Sequence, residues 1–255
     1  MKIDKDIIIK NFSKSKNTYD DNAVIQKSIC SRLIDIVDAH CSCSLDKVFE
    51  IGCGTGLLTK MLVKEFEVNE LTLNDIAPDL INSKLISYIK ENVQTLSFIH
   101  GDAEQISFPE DCDLLLSAST IQWFNDLDSF FEKAAKQLNK DGLFIFSSFG
   151  KKNFYELKEI TGNGLNYLDK KLIEQKLISN FDILYFYEEE KKMLFNTPMD
   201  ILNHLKKTGV NGLKTNKIWT KSDLERFSKD YVNKFSERGS VHLTYAPIYF
   251  VCKKK

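Results

Sequence analysis

The sequence predicts an α/β protein with a mostly parallel, doubly wound sheet. Three observations support this fold class. Short apolar segments alternate with amphipathic helical segments between residues 22 and 149, a glycine-rich turn follows the first apolar segment, and acidic residues follow the next two. The chain has 255 residues, of which 43% are hydrophobic, which is enough to bury one good core. We therefore predict a single domain over residues 1–255.

Hydrophobic periodicity assigns the elements of the alternating region. Helices are predicted over residues 22–39, 57–66, 79–91 and 127–138, and Asp79 is the predicted cap of the third. Strands are predicted over residues 47–51, 70–75, 96–100, 113–117 and 143–149, with Asp141-Gly142 as the turn before the last of them. The fourth strand is very apolar, as expected of a strand buried between two helix layers.

The regular alternation loosens after Gly150. Helices are predicted over residues 154–160, 169–178, 198–207 and 222–234. One long strand with a charged middle is predicted over residues 181–195, and a final strand over 241–252, in which Pro247 marks an irregularity or an edge position. The segment 197–219 is the best candidate for a helical insertion over the functional site.

Composition excludes several classes of protein. The net charge of −1 argues against a general nucleic-acid binder, which normally carries a basic excess. The six cysteines form no CxxC pair and have no zinc-type partner set, so we expect reduced thiols and no metal site. The charged beginning lacks a signal-peptide core, and no apolar run approaches the roughly 20 residues of a membrane helix. These features predict a soluble, cytoplasmic protein without a membrane partner.

The glycine-rich turn is Glu50-Ile51-Gly52-Cys53-Gly54-Thr55-Gly56. Its spacing is GxGxG, whereas a dinucleotide fingerprint is GxGxxG and a phosphate loop is GxxxxGK[ST]. An acidic residue at the strand end would also repel a pyrophosphate, but it suits a ligand with a cationic ammonium or sulfonium group. The glycines allow the backbone to approach such a ligand closely.

Two further carboxylates follow the next strands. Asp75 ends the second strand about 20 residues after the turn, where a carboxylate can accept hydrogen bonds from both hydroxyls of a ribose. Asp102 follows the third strand and can accept a hydrogen bond from an adenine amino group. Because the carboxyl ends of parallel strands share one edge of the sheet, these groups predict an adenosine site at that edge.

Residues 46–150 resemble the class I methyltransferase family through its motif E/D-x-G-x-G-x-G. The resemblance implies a Rossmann-like fold with a seven-stranded sheet, and S-adenosylmethionine as the methyl donor, with S-adenosylhomocysteine as product. It implies cofactor contacts from Gln26, Glu50, Gly52, Cys53, Gly54, Gly56, Asp75, Ile76, Asp102, Ala103 and Ser117.

The flanking segments are similar to the malonyl-acyl-carrier-protein methyltransferases of biotin synthesis. The matching segments are 12–20 with Ala23, Gln26 and Leu33, then 117–123, 149–150 with 153–154 and 156–157, 205–211 and 243–245. The family often carries Ser-Asn after the fourth strand, and here Ala118 replaces that Asn, so no role of that side chain transfers. The Gln122-Trp123 pair also resembles that of trans-aconitate methyltransferase, which leaves a small free acid as the alternative acceptor.

The resemblance implies methylation of the free carboxylate of a malonyl thioester. No general base is expected, because an ionised carboxylate is already the nucleophile. Residues 1–40 are expected to form an N-terminal lid, and Tyr19, Gln122 and Trp123 to position the substrate. An acidic acyl carrier protein would dock on Lys206, Lys207 and Lys214, and the enzyme is expected to be a monomer.

Overall fold

The computed structural model describes residues 2–210 and 219–255. Its helices are α1 (Lys5–Ser15), α2 (Tyr19–Asn22), α3 (Val24–His40), α4 (Leu57–Glu65), α5 (Ser83–Lys90), α6 (Leu127–Gln137), α7 (Tyr155–Thr161), α8 (Lys170–Leu177), α9 (Pro198–Lys207) and α10 (Lys221–Phe235). Its strands are β1 (Ser44–Ile51), β2 (Glu67–Asp75), β3 (Val93–His100), β4 (Cys112–Ser117), β5 (Leu138–Phe149), β6 (Phe181–Glu188), β7 (Lys191–Phe195), β8 (Ser236–Glu237), β9 (Ser240–Tyr245) and β10 (Pro247–Lys254).

The main sheet has seven strands in the order β3-β2-β1-β4-β5-β10-β6. The pairs β1–β2, β1–β4, β2–β3 and β4–β5 are parallel, and only β10 runs against its neighbours β5 and β6. The predicted mostly parallel, seven-stranded α/β fold is confirmed. The strand order reverses between β1 and β4, and in such sheets ligands bind at the carboxyl ends of the strands beside this reversal.

Apolar clusters cover both faces of this sheet. One contains residues of α3, α4, α5, α7, α9 and α10, and the other contains residues of α6 and α8. Within the N-terminal segment, Ile29, Leu33 and Val37 of α3 are fully buried, so α3 is part of the core. Only α1 and α2 of that segment lie across the strand ends, and we call these two helices (residues 5–22) the lid.

Two local predictions are wrong. Asn82, not Asp79, caps α5, since its side chain accepts a hydrogen bond from the amide of Leu85 at 2.9 Å. Asp79 instead lies in a 3₁₀ turn, Pro78–Leu80. Asp141-Gly142 is not a turn but part of β5, where Gly142 approaches β4 so closely that a Cβ atom would lie 2.8 Å from the carbonyl oxygen of Cys112.

The two long strands predicted after Gly150 are each divided between two sheets. Residues 181–195 form β6 in the main sheet and β7 in a second sheet, and residues 241–252 fall in β9 and β10. The second sheet has the order β7-β9-β8. Pro247 begins β10 directly after the change of sheet, which is the irregularity its missing N–H predicts.

No helix within residues 2–210 and 219–255 combines the length and the apolar character needed to cross a membrane. The same residues contain no cluster of three or more His, Cys, Asp or Glu side chains suited to a metal ion. All six cysteines are described and are free thiols.

Candidate active site

The turn after β1 is built on three glycines with left-handed backbones. Gly52, Gly54 and Gly56 have φ angles of 72°, 55° and 76°, a region that side chains with a Cβ rarely adopt. A Cβ atom at Gly52 would lie 2.2 Å from Oγ1 of Thr120, in the turn after β4. Backbone conformation therefore favours glycine at all three positions, and the close approach of two turns requires it at Gly52 as well.

Asp75, at the end of β2, holds this glycine turn in place. One carboxylate oxygen accepts a hydrogen bond from the amide of Gly54 at 2.7 Å, and the other accepts one from the amide of Ala77 at 2.8 Å. Burial raises the pKa of Asp75, and the hydrogen bonds from these two amides reduce that rise. The side chain also lines a cavity at the strand ends, where its remaining lone pairs can accept hydrogen bonds from a ligand.

Glu50 lies deeper than Asp75. Its side chain is 1% exposed and accepts a hydrogen bond from the hydroxyl of Thr59 at 2.7 Å. Burial is the largest cause of a rise in the pKa of Glu50 to about 8; the hydrogen bond from Thr59 opposes this rise, and the nearby carboxylate of Asp75 contributes to it. Glu50 is thus a buried carboxyl group beneath the glycine turn that retains its proton near neutral pH, and it does not itself line the cavity.

The cavity at the strand ends, which we call the inner cavity, has a volume of about 110 Å³. Of the predicted residues, the following line it: Tyr19, Gly52, Gly54, Asp75, Ile76, Asp102, Ala103 and Trp123. Its lining does not include Gln26, Glu50, Cys53, Gly56, Ser117 or Gln122. Ser117 supports the site from below, since its hydroxyl donates a hydrogen bond to the carbonyl oxygen of Ile51 at 2.9 Å.

The third wall of the inner cavity carries Asp102. This carboxylate accepts a hydrogen bond from the amide of Glu104 at 3.0 Å, which fixes the turn after β3. Lys5 of the lid reaches across the cavity edge, with its Nζ atom 3.3 Å from Asp102 and 2.8 Å from Glu104. The predicted adenine-binding carboxylate is thus also an attachment point of the lid.

Further polar contacts fasten the lid region to the other turns of the sheet. The hydroxyl of Ser13 donates to Asp79 after β2 at 3.0 Å, and Asp20 accepts from the hydroxyl of Thr55 in the glycine turn at 2.6 Å. Just before α1, the amide of Ile3 donates to Asn125 at 2.6 Å. The lid therefore spans the carboxyl ends of β1 to β4.

The sequence did not single out the residues of α1 that line the inner cavity. These are Lys5, Ile8, Phe12 and Ser15. A local signal was present, because Asp4 caps α1 by accepting hydrogen bonds from two amides of the first turn, and Ile8, which lies one turn into the helix, is buried. The capping aspartate before an apolar run would have indicated the helix, but not what it covers.

A second, larger cavity of about 500 Å³ adjoins the first, and we call it the outer cavity. The two share Ile8, Trp123 and Phe124 in their linings. Gln122 lines the outer cavity together with Ser148 at the end of β5 and Tyr167 in the loop before α8. A ligand in the inner cavity and one in the outer cavity could therefore both contact Trp123.

Of the predicted docking lysines, Lys206 and Lys207 belong to the lining of neither cavity. Lys206 and Lys207 are exposed in the last turn of α9. The carbonyl oxygen of Lys207 accepts a hydrogen bond from the hydroxyl of Thr18 at 2.9 Å, which joins α9 to the lid. Lys214 lies outside the described residues.

Comparison with known proteins agrees with this geometry. Residues 49–146 match the methyltransferase domain family. A malonyl-[acyl-carrier protein] O-methyltransferase of Bacteroides thetaiotaomicron is 40% identical, over 99% of this chain and 99% of that protein. One of Porphyromonas gingivalis is 37% identical, over 98% of this chain and 96% of that protein.

The chain belongs to the malonyl-[acyl-carrier protein] O-methyltransferase family. It is a methyltransferase, and the resemblance seen in the flanking segments is confirmed. The N-methyltransferase NodS of Bradyrhizobium japonicum, solved with S-adenosyl-L-homocysteine, shares the fold with a TM-score of 0.53. It is 12% identical, over 88% of this chain and 85% of that chain. At this identity the similarity supports only the fold, which is that of class I methyltransferases.

Proposed function

We propose that the protein transfers the methyl group of S-adenosylmethionine to the free carboxylate of a malonyl group carried by an acyl carrier protein. The methyl ester would enter biotin synthesis. The observation that carries the proposal is the pair of adjoining cavities, one over the glycine turn and one beyond it, sharing Ile8, Trp123 and Phe124. The family relationship supplies the identity of the acceptor.

The residues of the inner cavity fit the proposed cofactor. The turn at Gly54 is open where a Cβ atom would stand, with nothing within 4 Å. Asp75 and Asp102 offer carboxylate oxygens for the ribose hydroxyls and the adenine amino group. Glu50 places a carboxyl group beneath the turn that would carry the cationic part of the ligand. The cofactor supplies an electrophilic methyl on a sulfonium group.

The proposed reaction needs no acid–base catalysis. A carboxylate oxygen attacks the methyl carbon, the carbon–sulfur bond breaks, and its electron pair stays on sulfur, so no proton is transferred. Opposite charges cancel in this transition state, and bulk water would stabilise the separated charges more than the transition state. The protein therefore has to align the reactants and exclude water.

Aromatic residues of the lid can provide that exclusion. The ring of Phe12 lies edge-on to Tyr19 at 6.3 Å and to Trp123 at 6.0 Å between centroids. This cluster forms an apolar roof where the cavities adjoin. Tyr19 and Trp123 would thus position the substrate by enclosing it, and Gln122 would do so from the outer cavity.

A carrier protein would approach the outer face of the lid. We include in the proposal that its acidic surface docks on Lys206, Lys207 and Lys214. The hydrogen bond between Thr18 and the end of α9 would connect the docking surface to the lid.

Transfer of isotopically labelled methyl from S-adenosylmethionine tests the function. The acceptors are malonyl-acyl carrier protein, malonyl-coenzyme A, and free malonate and trans-aconitate. We expect a base-labile methyl ester on the malonyl thioesters, with the highest kcat/KM for the carrier-linked form. Labelling confined to the free acids would contradict the proposal, and acetyl-acyl carrier protein, which lacks the carboxylate, is the negative control.

A further inference from the structure

The proposed function requires a carboxylate in the outer cavity, and the arginines are not placed to bind it. Arg32 stacks over the ring of Tyr187 at 4.7 Å, and Arg226 pairs with Asp223 at 2.9 Å. Arg238 lies in the turn between β8 and β9. None of them lines either cavity among the described residues.

Lysines do line the outer cavity, but at its rim. Lys176 forms an ion pair with Asp128 at 2.5 Å, and its side chain is 30% exposed. Lys158 is exposed and donates to the side chain of Asn166 at 3.3 Å. Lys2 is also exposed. The deeper wall, at the end of β5 and beside Trp123, carries neutral polar groups instead.

Ser148 is the first of these groups. It is 4% exposed, and its hydroxyl lies 3.4 Å from Oε1 of Gln122, a long contact that leaves the proton free to turn to a stronger acceptor. The amide nitrogen of Gln122 donates to the carbonyl oxygen of Ser119 at 2.5 Å. This bond fixes the amide so that its oxygen faces Ser148.

Tyr167 is the second group. Its ring packs edge-on against Phe149 at 6.2 Å between centroids. Burial raises the pKa of Tyr167, which keeps its hydroxyl protonated, while the side-chain amide of Asn153 acts in the opposite direction. Asn153 is 3% exposed, its oxygen accepts a hydrogen bond from the amide of Ala246 at 3.1 Å, and its buried side-chain nitrogen has no hydrogen-bond partner among the described residues. A small shift would let this nitrogen donate to the phenol oxygen of Tyr167, which would leave the phenol proton to point into the cavity.

We propose that Tyr167 and Ser148 bind the acceptor carboxylate through neutral hydrogen bonds, and that Asn153 and Gln122 orient them. The inference rests on the proposed function and names how its substrate is recognised. Neutral donors suit this reaction, because the carboxylate loses negative charge as the carbon–oxygen bond forms. A paired guanidinium would stabilise the ground state more than the transition state and would slow the transfer.

The test compares Tyr167→Phe and Ser148→Ala with the parent enzyme. Each substitution removes one hydrogen bond to a charged group, so we expect kcat/KM for the malonyl thioester to fall roughly tenfold or more, mainly through KM. The dissociation constant of S-adenosylhomocysteine should not change. The inhibition constant of the methyl ester product, which has no carboxylate, should not change either. Tyr185→Phe, a half-buried tyrosine of β6 beside His40, is the matched control and should behave like the parent.

Two results would overturn the carboxylate site. One is parent-like kcat/KM in Tyr167→Phe and Ser148→Ala, and the other is an equal loss of affinity for the neutral methyl ester, which would indicate only a disturbed cavity. If the parent methylates free acids alone, the proposed function fails instead. The same variants then decide the carboxylate site with that acid, since a raised KM supports the site and an unchanged KM refutes it.

Discussion

The inner cavity has a floor and a lid that are held by different kinds of interaction. The floor consists of the turns after β1 to β4, where Asp75 and Glu50 are almost completely buried and bound by short hydrogen bonds. The lid is attached by polar contacts such as Lys5 to Glu104 and Ser13 to Asp79, which water reaches. Buried contacts of the first kind are expensive to disturb, and exposed contacts of the second kind are weak individually.

This difference indicates that the floor holds the ligand in place and that the lid controls its exchange. A ligand cannot exchange through the floor without disrupting the sheet, so we expect exchange to involve opening of the lid. Each lid contact contributes little free energy, so the lid can open on the time scale of turnover. Substitutions in the floor should therefore have larger effects than substitutions in the lid.

The largest effect is expected from Gly52→Ala in the floor. The new Cβ atom would lie 2.2 Å from Thr120 Oγ1, on a backbone with φ of 72°. We expect binding of S-adenosylhomocysteine to disappear from calorimetric titration, and the free energy of unfolding to fall by about 2–4 kcal/mol from strain and overpacking together.

Gly162→Ala is its matched control. Gly162 has a similar φ of 68°, but a Cβ atom there meets nothing within 4 Å. Only the backbone cost, about 1 kcal/mol, should remain, with full binding. Binding by Gly52→Ala as tight as in the parent would refute the role of this close approach.

A smaller, pH-dependent effect is expected from Glu50→Gln. Burial raises the pKa of Glu50 from 4.5 to about 8, so the native state keeps a proton that the unfolded state has lost. Between these two pH values the free energy of unfolding therefore falls as pH rises. The amide can still accept from Thr59 but does not titrate, so the variant should be more stable than the parent near pH 8, and the difference should shrink toward pH 5.

Urea unfolding of the ligand-free protein from pH 5 to 8.5 measures this effect. We expect a difference on the order of a few kcal/mol at the alkaline end. Glu65→Gln, whose side chain is 51% exposed, should leave the pH profile unchanged. Parallel profiles of Glu50→Gln and the parent would show that Glu50 does not hold its proton in the folded state.

The floor could be predicted from the sequence because its signals are local. The glycine turn, Asp75 and Asp102 each follow a strand whose apolar pattern is visible, and parallel topology brings strand ends to one edge. The position of the lid is a tertiary property. Nothing near Lys5 in the sequence indicates that it pairs with a carboxylate almost a hundred positions away.

The second sheet was missed for a related reason. An alternating pattern predicts a strand but does not say where the strand leaves one sheet for another. The charged residues 188–190 lie where β6 gives way to β7, and residue 246 lies where β9 gives way to β10. The amide of Glu189 donates to the carbonyl oxygen of Pro247 at 3.2 Å, so the two chain segments leave the main sheet side by side. The point at which each segment changes sheet depends on the strand it pairs with, which its own sequence does not indicate.

The smallest effect is expected in the lid, from Lys5→Met. The substitution keeps the apolar stem of the side chain beside Phe124 but removes the charge that joins α1 to Asp102 and Glu104. These pairs are partly buried, so we expect them to contribute up to about 1 kcal/mol to the closed lid. Dissociation of S-adenosylhomocysteine, followed by stopped-flow competition, should accelerate about two- to fivefold.

Salt and a second lysine make this prediction specific. Raising the ionic strength should accelerate dissociation from the parent toward the rate of Lys5→Met, because salt screens contacts that water reaches. Lys64→Met removes a lysine with a similar 2.8 Å ion pair to Glu65, but far from the lid and 71% exposed, and should leave the rate unchanged. If Lys5→Met releases the ligand at the parent rate, the lid is held by its apolar contacts, Phe12 above all, and the polar attachments only determine where it rests.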